Sequence, residues 1–137
     1  MKEIVELHNE DLESKLFEDV LFFKLAEGGA MGSPGEIVFY RKNGEKYCLN
    51  YVFDNIDMHK VEQLFNPLTE CDFGMFGIGS KVPKGWNYVN LGAGNHLIVA
   101  DEVYEEFEKM VGIVKHPGEI YKKWMQVADR IVKARLR

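Results

Sequence analysis

The chain has 137 residues, 46% apolar and 28% charged, with a formal charge of −5. That length suits one domain spanning residues 1–137, able to bury roughly two-thirds of its unfolded surface, and the composition excludes disordered and fibrous classes. The acidic balance disfavours a general affinity for nucleic-acid backbones or anionic membranes. Strictly apolar stretches such as residues 20–23 and 97–100 fall far short of the about 20 residues that cross a bilayer. The opening Met1-Lys2-Glu3 turns acidic at once and lacks the basic, apolar, small-residue order of a secretory signal. Two cysteines, Cys48 and Cys71, are too few for a disulfide scaffold, so a cytoplasmic protein with free thiols is expected.

In chain order, Asn9 before Glu10 and Asp11 reads as a helix start, and the segment to about Phe17 is taken as helical with weak periodicity. Residues 20–25 are rich in β-branched and aromatic side chains and meet Gly28, Gly29, Gly32, Pro34 and Gly35, which predicts a strand and then a loop. Residues 36–41 and 46–51 flank Asn43-Gly44, a pair suited to a two-residue hairpin turn. With Lys42 opposite Glu45, that turn sets Tyr40 against Tyr47, Val38 against Leu49 and Phe39 against Cys48. Both faces of the hairpin are then partly apolar, and the sheet needs helices on one side and some cover on the other.

Asp57 caps a short helix whose stripe is Met58, Val61, Leu64 and Phe65, stopped by Asn66-Pro67. A glycine-rich loop runs from Cys71 to Gly85. Residues 86–91 and 96–100 form a second hairpin around Gly92-Ala93-Gly94. Asp101 caps a helix with Val103, Phe107, Met110 and Val111 on one face and Gly112 as terminator. Pro117 opens a last helix in which Ile120, Trp124, Val127 and Ile131 recur at helical spacing. The sum is an α+β domain: a mainly antiparallel sheet of about five strands, helices packed on it, and two C-terminal helices.

No motif of known chemistry is complete. The glycine clusters at 28–35, 77–79 and 92–94 do not lead into a helix with a following Lys-Ser/Thr pair, so turn geometry is the simpler reading than a phosphate cradle. Asp72-Phe73-Gly74 spells a kinase metal motif in a chain too short for a kinase. His8, His59, His96 and His116 form no metal-ligand spacing, and no metal or other cofactor is expected. A nucleophile and base built from Cys71 with His59 or His96 is the enzymatic alternative, with a cleft around Cys71, His96 and the glycine loops in a small cytosolic enzyme or ligand-binding domain.

Charge is distributed unevenly. Residues 115–137 hold seven Lys/Arg and two Asp/Glu, whereas residues 1–114 hold ten and twenty. The basic terminal helix, with Lys122, Lys123 and Arg130, opens a third class, an RNA-binding adaptor, which the acidic body disfavours. Glu102, Glu105 and Glu106 share the face opposite Val103 and Phe107 and can present carboxylates to a basic protein. Asp72, Phe73 and Phe76 in the glycine-rich loop are the accompanying charge and apolar anchors.

Residues 27–35, Glu-Gly-Gly-Ala-Met-Gly-Ser-Pro-Gly, lie before one strand, and residues 85–97, from Gly85-Trp86-Asn87 to Asn95-His96-Leu97, enter another. Together these segments resemble small bacterial immunity proteins of polymorphic or contact-dependent toxin systems. The resemblance implies a single-domain cytosolic α+β protein that binds a cognate toxin domain and blocks it without catalysis, and it assigns no contact residue. The expected function is therefore a non-enzymatic protein-binding module for a basic protein partner. Its oligomeric state is left open, and membrane association is not expected.

Overall fold

Leu7, Leu12 and Phe17 recur every five residues, a spacing that no single helix face can hold. The computed structural model shows what the segment does instead. It describes residues 3–27, 34–51, 54–71, 73–74, 77–78, 82–92, 95–111 and 117–135. Ile4–Leu7 is a strand, β1, followed by 3-10 turns at Asn9–Asp11 and Ser14–Phe17. Short, tight turns let all three apolar residues point into the core, where each is buried. The expected N-terminal helix is therefore replaced by a strand and two turns. Asn9 does not cap a helix. Its side chain accepts from Asp57 N–H (2.8 Å) and donates to Asn55 O (3.2 Å), tying this turn to the loop before the next helix.

The following strands are β2 (Val20–Glu27), β3 (Pro34–Arg41) and β4 (Lys46–Asn50). Next come α1 (Met58–Leu64) and a 3-10 turn at Asn66–Leu68. Asp57 caps α1 as its sequence implies, its carboxylate accepting from Lys60 N–H at 3.3 Å. Within the glycine-rich loop lies a two-residue pairing of β5 (Phe73–Gly74) with β6 (Gly77–Ile78). Then follow β7 (Trp86–Gly92), β8 (Asn95–Ala100), α2 (Asp101–Val111) and α3 (Pro117–Arg135).

Six strands form the main sheet in the order β1-β4-β3-β2-β8-β7. The sheet is one strand larger than expected because β1 adds at its edge. β1 runs parallel to β4, with Ile4 beside Lys46, and the other pairings are antiparallel. The α+β class, the mainly antiparallel sheet and the two C-terminal helices stand as expected.

The β3–β4 register differs from the expected one by a single residue. Phe39 pairs with Tyr47, Val38 with Cys48 and Ile37 with Leu49. Gly44 N–H donates to Arg41 O (3.0 Å) and Arg41 N–H to Glu45 O (2.9 Å), so the loop is Lys42-Asn43-Gly44, three residues long. Gly44 alone takes a positive φ, +86°, which closes this longer loop with a bulge.

The sheet is covered on both faces. On one, Phe23, Leu25, Ile37, Phe39, Tyr47, Leu49 and Ile98 pack against the N-terminal turns and against Val61, Phe65 and Leu68 of the α1 region. On the other, Leu21, Phe22, Tyr40, Leu97 and Val99 meet Val103 and Phe107 of α2 and Val127, Ala128 and Val132 of α3. A β-bulge between Val20 and Phe22 lets the consecutive Leu21 and Phe22 join the same face. Among the described residues no helix is long and apolar enough to cross a membrane.

Candidate functional site

α2 starts where β8 ends, and its first residue is fixed twice. Asp101 N–H donates to Gly85 O at 2.9 Å, and Asn87 Nδ2 donates to the Asp101 carboxylate at 2.7 Å. Val103 and Phe107 are fully buried, the Phe107 ring meeting Phe22 edge-on at 5.5 Å. With those two anchors set, Glu102, Glu105, Glu106 and Glu108 fall on the exposed side. Glu102 is also an ion-pair partner of Lys42, at 3.1 Å. The sequence-predicted carboxylates Glu102, Glu105 and Glu106 are thus brought together on one solvent-facing helix surface. Asp72 and Phe76 lie outside the described residues, as do Gly28, Gly29, Gly32, Gly112 and His116, and Phe73 is described only for its backbone, in β5.

α3 carries Lys122, Arg130 and Lys133 in solvent, while Val127, Ala128 and Val132 hold it to the sheet. Between them Asp129 turns toward the sheet. It accepts a hydrogen bond from the Tyr40 hydroxyl and lies 3.8 Å from the Lys46 ammonium. Lys46, only 5% exposed, also sits 5.5 Å from the centre of the Tyr40 ring. Burial first, then the hydrogen bond and charge of Asp129, push the Tyr40 hydroxyl well above its ordinary range, so it stays a donor. Sequence reading missed this network. Its available signal was a lysine beginning a strand whose following residues are apolar, and an acid close to the apolar stripe of a basic helix.

Cys71 and His96 are buried, and each is engaged locally. The Cys71 thiol donates to Pro67 O at 3.2 Å, and His96 Nδ1 lies 2.6 Å from the Tyr88 hydroxyl with the two rings stacked. Burial, then the charge of Glu70, pushes the Cys71 thiol up to about 12. Burial, then Glu36, does the same to Cys48, also to about 12. A nucleophilic cysteine needs the opposite shift, toward the thiolate at neutral pH. Both thiols are therefore expected to resist iodoacetamide at pH 8 in the folded protein and to react at once in urea. The same shifts set a pH dependence. The unfolded thiols ionise from 9.0 upward whereas the folded ones hold their protons to about 12. The cysteine contribution to stability is complete below pH 9 and is lost as pH rises toward 12. A denaturation series across that window checks it, and Cys48→Ala with Cys71→Ala flattens the fall.

Among the described residues no group of three His, Cys, Asp or Glu side chains is placed to hold a metal ion. The arrangement with the clearest chemical capacity is the carboxylate surface of α2, which offers charge and acceptors to a cationic macromolecule. No protein-family model, curated protein or solved structure significantly matches the chain.

Proposed function

We propose that the chain is a non-enzymatic protein-binding module whose partner is a basic protein. Taken with the resemblance of its glycine-rich segments, it is read as a cytoplasmic immunity protein that neutralises a cognate toxin domain by binding. The observation that carries the reading is α2, where four glutamates are exposed on a helix locked to the sheet by Val103 and Phe107. A rigid carboxylate surface needs no reorganisation when a cationic partner docks, and it raises the encounter rate. Asp72, Phe73 and Phe76 remain the proposed charge and apolar anchors.

The direct test is co-expression with the toxic C-terminal domain of a secreted protein encoded immediately upstream. Neutralisation together with a stable complex supports the reading, and failure to bind that domain overturns it. Changing Glu102, Glu105 and Glu106 to glutamine is expected to slow association about tenfold at low salt, with the difference shrinking as salt rises. Stability changes little, because these side chains are exposed and the Lys42–Glu102 pair is a surface ion pair worth less than about 1 kcal/mol. Stopped-flow kinetics at two salt concentrations read this out. An unchanged association rate removes α2 from the interface.

A further inference from the structure

We propose that the β1 edge is a docking strand for an extended, basic segment of the partner protein, which adds to the sheet beside β1 and seats its apolar side chains in an adjoining groove. The inference rests on the reading of the partner as a basic protein and gives it a second surface, distinct from α2.

Among the described residues, β1 has β4 as its strand neighbour on one side and none on the other. Ile4 and Val5, on opposite faces of β1, are 46% and 57% exposed, the large hydrophobic side chains that the described fold leaves in solvent. Beside them lies a groove of about 190 Å³, lined by Val5, Leu7, Leu16 and Tyr47 with Glu3, Glu45 and Lys46. The Tyr47 hydroxyl is buried and has no hydrogen-bond partner among the described residues.

An unpaired edge offers backbone donors and acceptors to an incoming strand, and the groove reads its alternate side chains. Val5 and Leu7 share the groove face, while Ile4 and Glu6 share the other. A strand alternating apolar and basic residues therefore sets its apolar side chains over the groove and its cations against Glu6. Charge selects the occupant. Glu3 and Glu45 line the groove and Glu6 is exposed on β1 itself, while the ammonium of Lys46 is drawn away toward Asp129. A second copy brings the same carboxylates and meets like charge, whereas a basic segment is attracted.

The test is a titration of isotope-labelled protein with a short blocked peptide of alternating lysine and valine, followed by amide chemical shifts and amide exchange. The expected result is saturable shifts and slowed exchange at residues 4–7. Val5→Lys, a change at an exposed position, is expected to weaken binding about tenfold or more without lowering the melting temperature. Shifts centred on α2, equal binding of an alternating glutamate and valine peptide, or no saturation at about 1 mM peptide overturns the proposal. A dimer of the free protein that Val5→Lys dissolves likewise overturns it, because the edge then serves a second copy. The peptide is read at β1 and the glutamine variants at α2, so the two surfaces fail independently.

Discussion

Replacing Phe39 by alanine is expected to remove about 4 kcal/mol of stability, the upper part of the range for emptying an aromatic position in a core. Phe39 is fully buried on β3 and touches four other rings. It meets Phe17 edge-on at 5.2 Å and Phe65 edge-on at 5.4 Å, and stacks with Tyr47 at 5.4 Å and Phe23 at 5.8 Å. Those neighbours come from a 3-10 turn, the end of α1, β4 and β2, so no single element can move inward to fill the space. Poor collapse is what makes such a cavity costly. A loss of that size is a large share of the 5–15 kcal/mol typical of a domain. In urea denaturation the midpoint should fall with the slope unchanged, and Phe39→Leu should cost less than half as much. A cost below about 1.5 kcal/mol for the alanine variant shows that the rings do not act as one packed cluster.

Asp129→Ala is the second large effect, expected at about 3 kcal/mol. It strands the buried Lys46 ammonium and removes the acceptor of the Tyr40 hydroxyl in one step. The comparison with Lys46→Met separates the causes. Methionine keeps the volume and removes the charge, while Asp129, its side chain 20% exposed, still accepts from the Tyr40 hydroxyl. That variant is expected to cost less, and Lys46→Met with Asp129→Leu is expected to recover the part of the loss due to the stranded ammonium, the Tyr40 hydroxyl still lacking its acceptor. The coupling is read from the double-mutant cycle. If Asp129→Ala costs no more than a surface substitution, within about 0.5 kcal/mol, the ammonium is solvated and the network is not a structural tie.

What could be read from the sequence was local. Asp57, Asp101 and Pro117 mark real helix starts, since caps and first-turn residues act within three or four positions. Asn43-Gly44 marked a real turn, but the pair does not state the loop length. Gly44 takes the positive φ while Asn43 does not, and the one-residue difference moved every β4 partner of β3. β1 was illegible for a different reason. Four residues reading Ile-Val-Glu-Leu carry no alternation, and their pairing lies with residues 46–49, which no local pattern encodes. The site divides in the same way. The α2 carboxylates follow from helix periodicity, whereas the Lys46–Asp129–Tyr40 network depends on how α3 lies across the sheet. The β1 groove likewise depends on where a distant turn places Leu16.

The parallel pairing of β1 with β4 also orders the assembly of the sheet. The β3–β4 hairpin closes a loop of three residues, whereas β1 reaches its partner only after β2, β3 and the hairpin turn have been threaded between them. Loop-closure entropy therefore favours the hairpin as an early contact and leaves β1 to join once β4 is in place. A strand that arrives last is also the first to leave. The outer edge of this protein is therefore expected to open before the rest of the sheet, exposing Tyr47 and Leu49 while the α2 and α3 cluster, which holds no β1 residue, stays packed.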